Sequence, residues 1–97
     1  MITVILNDIT TEVDRQHAKW GLQHHPDGTR EDNKGMADWA RKDTDQAAAD
    51  GVLSWLDILC EEFFEASAEV SWPKLRAELI QVAAVCVSWI EDGDERL

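Results

Sequence analysis

The sequence predicts an all-α protein. Apolar residues recur at helical spacing through residues 52–69 and again after Pro73, and only two prolines and five glycines interrupt the 97 residues. Neither an internal repeat nor a low-complexity tract stands out. A chain of this length is expected to be a single domain, with 1–51 forming an N-terminal arm, a first helix and a loop, and 52–93 a helical hairpin.

The opening "MITVILND" is rich in β-branched residues and too short for periodicity to assign, so a strand and an extended arm both stay open. From Thr10 or Thr11, either of which suits an N-cap, "TEVDRQHAKW" reads as a polar helix that stops near Gly21. The segment 21–35 carries Pro26, Asp27, Gly28, Asn33 and Gly35 and is expected to be a long loop. "MADWARKDTDQAAAD" predicts a short or frayed helix ending near Asp50 and Gly51, with Asp50 read as a cap of the next helix. Residues 52–69 predict a helix about 27 Å long. Pro73 then opens a last helix that closes at Gly93, and the tight turn between the two makes them an antiparallel hairpin.

Nine Lys and Arg against twenty Asp and Glu give a net charge of −11, a field that repels nucleic acid and anionic membrane surfaces. No stretch approaches the ~20 apolar residues of a membrane span, and the N-terminus lacks the pattern of a signal peptide, so a soluble, cytoplasmic chain is expected. Cys60 and Cys86, far apart in apolar runs, read as reduced core thiols. So thin a core makes a homo-oligomer the default.

The stretch "LCEEFFEASAEV" sets Glu61, Glu62, Glu65 and Glu69 within an arc of about 100°, opposite Val52, Leu56, Leu59, Cys60 and Phe63. An ordinary amphipathic helix with a solvated acidic face accounts for this pattern. The last helix argues differently, because in "ELIQVAAVCVSWI" only Glu78, Gln81 and Ser88 are polar, and a helix apolar nearly all round is expected to be buried. Glu78 must then be paired, protonated or metal-bound. Its ion-pair partner would be Lys74, one turn back. Alternatively the hairpin brings Glu78 and Gln81 against Glu62 and Glu65, an oxygen-rich set of the kind Mg²⁺ or Mn²⁺ requires.

"EEFFE" followed by "ELIQ" resembles the ExxE…ExxD signature of the MazG-like nucleoside triphosphate pyrophosphohydrolases, an all-α superfamily. Glu62 and Glu65 match the first half, twelve residues intervene, and Glu78 opens the second, so the resemblance covers residues 50–92 best. "RQHAKWGLQHHPDGT" is similar to a segment of small bacterial and phage members. The resemblance implies Mg²⁺, or Mn²⁺, held by Glu62, Glu65, Glu78 and Gln81, and cleavage of a nucleoside or deoxynucleoside triphosphate between the α- and β-phosphates. It also implies a four-helix-bundle-like fold completed in a homodimer or homotetramer. Gln81 departs from the motif, standing where the family has Asp, and an amide brings no charge. A second ExxD, Glu91 to Asp94, has suitable spacing but spans Gly93, where the helix is expected to end.

If the resemblance holds, Glu61 is the candidate to orient or deprotonate the attacking water, against the plainer reading of a solvent-facing charge. Phosphates call for cations, and Lys74, Lys19 and Arg15 are candidates that also suit surface charge balance. Trp55 and Trp89 read as core, whereas Trp20, just before the loop, is placed to stack on a base. His24 and Asp27 are candidates for base or ribose contacts. Zinc at His17, His24 and His25 finds no thiolates or recognised spacing. A catalytically weak nucleotide-binding module with the same fold is the alternative function, and a structural helical oligomer is a third.

Overall fold

A computed structural model describes residues 1–96, and it is all-helical as the sequence predicts: α1 spans Ile2–Trp20, a 3-10 turn Glu31–Asn33 leads into α2, Lys34–Ala49, and α3, Trp55–Ser67, and α4, Trp72–Glu95, complete the chain. No strand occurs among the described residues. The chain divides into two compact units, one formed by Met1–Asp27 with the end of the chain from Val87, the other by Gly28–Cys86.

In the first unit α1 starts at Ile2, so "MITVILND" is neither strand nor arm. Helix propensity penalises each β-branched residue by only a few tenths of a kcal/mol, and burial of Ile5 offsets that. The helix ends as expected: Gly21 takes φ 72°, and its N–H donates to the His17 carbonyl. Arg15 is engaged by Glu12, its Nε 2.7 Å from Glu12 Oε2, and this pairing pulls the Glu12 carboxyl down to about 2. Gly93, by contrast, does not end α4. Its φ is not positive, and the helix runs two residues further, to Glu95.

The second unit is organised by α2 and α3, which pack on each other. The residues that meet run in opposite directions along the two helices. Near the start of α2, Asn33 Nδ2 donates to the Ser67 carbonyl at 3.0 Å. Further along, Thr44 Oγ1 donates to the Asp57 carbonyl at 3.1 Å. The pair is therefore antiparallel. α2 is a full helix and not the short, frayed one expected, because Ala37, Ala40 and Thr44, at i, i+3 and i+7, form a buried stripe of small side chains. On α3 the buried residue is again small, Ala66. Small residues on both sides let two helix backbones approach closely.

The ends of α3 are satisfied locally. Ser54, and not Asp50, is its N-cap: the Ser54 hydroxyl accepts from the Asp57 N–H while Asp57 accepts from the Ser54 N–H, a reciprocal capping box. Asp50 instead closes α2 and accepts from Gln46. At the other end the Ser67 carbonyl accepts from both Arg30 N–H and Asn33 Nδ2, removing an unpaired helix-terminal acceptor.

This packing alters the expected facing of α3. Leu56 and Phe63 are more than half exposed (57% and 56%), whereas Glu61, Glu62 and Glu65 are half-buried, as are Leu59 and Cys60, and Ala66 is buried. The last helix also departs from expectation. Leu75 is buried, but Leu79 and Ile80 are exposed, so its all-round apolar character does not bury it within one chain. Trp55, Trp89, Cys60 and Cys86 are half-buried, and both cysteines are free thiols.

If the small stripe sets the α2–α3 distance, Ala40→Leu overpacks it and destabilises the protein by about 1–3 kcal/mol, lowering Tm by roughly 5–20 °C. An unchanged melting midpoint would mean that the two helices do not meet at Ala40.

Candidate metal centre

Glu62 and Glu65 lie one turn apart on α3, and Glu78 lies in the second turn of α4, after the connection 68–71. One carboxylate oxygen from each lies within 4.8 Å of the other two, and among the described residues this is the group of three so arranged. All three side chains are half-buried. An ion such as Mg²⁺ holds oxygens at about 2.1 Å, which sets opposite ligands about 4.2 Å apart. Three ligands cannot all be opposite one another, and adjacent ones on an octahedral ion lie about 3.0 Å apart, so the three carboxylates must close by up to about 1.8 Å, which takes rotamer changes of the long Glu side chains. All-oxygen, anionic donors suit Mg²⁺ or Mn²⁺ and disfavour thiophilic metals.

The electrostatics of the cluster fit a cation. Burial raises the Glu62 carboxyl above its ordinary range, and repulsion from Glu65, Glu78 and Glu61 raises it further. Glu78 is raised in the same way, by burial and then by Glu65 and Glu69. Lys74 does not relieve this, since no ion pair joins it to Glu78 among the described residues. Glu61 is half-buried and not simply solvent-facing. Its carboxyl is raised by burial, Glu65 and Asp45, with Arg41 opposing.

Arg41 on α2 is a member of the site that its sequence context does not reveal. Its Nη2 donates to Glu65 Oε1 at 3.0 Å, its Nε lies 3.9 Å from Glu61 Oε1, and its Nη1 lies 3.7 Å from Asp38. Nothing local in "MADWARKDTD" separates Arg41 from Lys42. The signal that would have found it is the antiparallel register: once Thr44 meets Asp57 and Asn33 meets Ser67, position 41 falls beside 61 and 65.

A cleft of about 740 Å³ opens beside the cluster, lined by Lys34 and Arg41 from α2, Glu65 from α3, and Lys74 and Glu78 from α4. The structure thus gathers Glu61, Glu62, Glu65, Glu78 and Lys74 in one unit. Gln81, one turn beyond Glu78, is exposed. Trp20, Lys19, His24 and Asp27 belong to the first unit. There Trp20 is 63% exposed, with Lys19 Nζ 4.8 Å from its ring centroid, and His24 and Asp27 are exposed. His25 Nε2 contacts Gln23 Oε1 at 2.8 Å. Glu91 and Asp94 sit on a continuous helix, because α4 runs through Gly93, but these two acids do not enter the three-carboxylate group.

No family model matches the chain, and no curated protein or solved structure matches it either.

A carboxyl whose folded pKa is raised binds protons more tightly in the native than in the unfolded state. Its effect on stability is therefore adverse at neutral pH and fades as pH falls through the raised value toward 4.5. Replacing Glu62 by Gln removes repulsion worth a few tenths of a kcal/mol per neighbouring charge. In EDTA, Glu62→Gln is expected to raise Tm by about 2–4 °C at pH 7.5, with the gain shrinking toward pH 4.5. A loss of stability at pH 7.5 would contradict this electrostatic picture.

Proposed function

We propose that the protein is a divalent-metal-dependent nucleotide pyrophosphohydrolase of the MazG-like type, converting a nucleoside or deoxynucleoside triphosphate to the monophosphate and pyrophosphate. The observation that carries the proposal is the convergence of Glu62, Glu65 and Glu78, the residues of the sequence resemblance, to within 4.8 Å from two helices. A solvated acidic face would leave these side chains extended and apart; here they are half-buried and mutually repelling.

In this reading Glu62, Glu65 and Glu78 hold Mg²⁺ or Mn²⁺, with the Gln81 amide as a weaker fourth donor. The ion supplies positive charge against the phosphates, which an acidic protein of net charge −11 otherwise repels. Glu61 accepts a proton from the attacking water at a carboxylate oxygen. Its raised pKa brings it closer to working pH than an ordinary surface glutamate. Lys74 faces the same cleft and meets phosphate oxygens. Trp20, Lys19, His24 and Asp27 are exposed and retain their candidacy for nucleotide contacts on sequence pattern alone.

The reading includes a homodimer or homotetramer. Leu56 and Phe63 on α3 and Leu79 and Ile80 on α4 are 44–57% exposed, and covering what remains open is worth about 0.7–1.7 kcal/mol each. A second reading, a nucleotide-binding module without turnover, is favoured by one feature, the uncharged and exposed Gln81.

The test is pyrophosphate release from a panel of nucleoside and deoxynucleoside triphosphates with Mg²⁺ or Mn²⁺. Activity is expected to fall at least about 100-fold in Glu62→Gln and Glu65→Gln, since each removes several kcal/mol of metal-borne stabilisation. Silence across the panel, with metal-dependent nucleotide binding intact, would favour the binding module. Undiminished activity in both variants would refute the assignment of the site.

A further inference from the structure

The guanidinium of Arg41 is bonded to Glu65 Oε1, an oxygen of one of the three candidate ligands, and reaches toward Glu61. A divalent ion drawing on the same carboxylate and a guanidinium repel each other, so the two compete for Glu65. The Arg41 side chain is about half exposed, which leaves it room to swing. Where it would swing to is set by α2: Lys34 is seven residues earlier on the same helical face, and both line the cleft with Lys74 of α4. Three of the nine Lys and Arg of a strongly acidic chain thus border one cleft, which Glu31, Asp38, Glu65, Glu69 and Glu78 also line.

We propose that Arg41 is a displaceable counter-ion: in the metal-free protein it neutralises Glu65, and on metal binding it is released into the cleft, where with Lys34 and Lys74 it binds the phosphate groups of the ligand. This rests on the metal reading above and adds to it a coupling between metal and phosphate binding. A planar guanidinium fork suits the exchange, since it pairs with a carboxylate or a phosphate through the same parallel N–H donors. The metal-free protein is thereby kept from binding phosphates strongly, and the metal-loaded protein has its cations free.

The coupling predicts opposite effects of one substitution. With Arg41→Gln, Mn²⁺ alone is expected to bind about two- to fivefold more tightly, because a surface-type ion pair no longer competes. Methylenediphosphonate, a non-hydrolysable pyrophosphate mimic, is expected to bind at least about tenfold more weakly in saturating Mg²⁺, because a charge-assisted contact is lost. Arg41→Lys, which retains charge without the fork, should lie between on both scales. Both affinities are read by isothermal titration on wild-type and variant proteins. A purely structural Arg41 would weaken both or neither. Unchanged or weaker Mn²⁺ binding in Arg41→Gln, or unchanged diphosphonate binding, overturns the displacement proposal and leaves the metal site standing. Absence of saturable Mn²⁺ binding in both proteins overturns the metal reading and the proposal with it.

Discussion

The close approach of α2 and α3 is the constraint on which the rest of the second unit depends. Ala37, Ala40 and Thr44 leave little bulk on the buried face of α2, and Ala66 is buried on α3. That contact fixes the rotation of α3 about its axis. Glu62 lies about 40° from Ala66 on the helical wheel, so the face that buries Ala66 carries Glu62 inward with it. Leu56 and Phe63, about 60–80° away on the other side, are turned out. An amphipathic helix ordinarily hides its apolar arc. Here the acids become partly buried alongside Leu59 and Cys60, while Leu56 and Phe63 face out.

The electrostatic consequence is a local excess of negative charge. Ionised Glu61, Glu62, Glu65 and Glu78, four charges, are answered by one guanidinium, leaving three uncompensated. Raised pKa values at Glu61, Glu62 and Glu78 register that imbalance, with partial burial as the larger cause at each. On the proposed reading a divalent cation would address both causes together, offsetting repulsion and replacing the hydration that burial removed. The capping box at Ser54 and the doubly bonded Ser67 carbonyl hold both ends of α3, so its carboxylates cannot relieve the strain by fraying.

Much of this was legible in the sequence, and the reasons for the rest are specific. The helical class, the stop at Gly21 and the grouping of Glu62, Glu65 and Glu78 all depend on spacing, which a sequence displays. The helical state of "MITVILND" and the strength of α2 depend on burial of Ile5 and of small residues that hydrophobicity patterns underweight. Gly93 shows that glycine permits a helix end without enforcing one, and Ser54 that a cap is recognised by its reciprocal partner, Asp57, more than by a neighbouring glycine. Arg41 was invisible because its importance is created by an inter-helix register, a tertiary fact with no local signature.

Whether the inward carboxylates of α3 and α4 share a divalent cation is tested most directly by a crystal structure of the protein grown with Mn²⁺ and measured for anomalous scattering. A shared ion predicts a peak between Glu62, Glu65 and Glu78, about 2.1–2.2 Å from their oxygens, with the Arg41 guanidinium no longer on Glu65. Mn²⁺ bound only elsewhere, with Arg41 still bonded to Glu65, would contradict it.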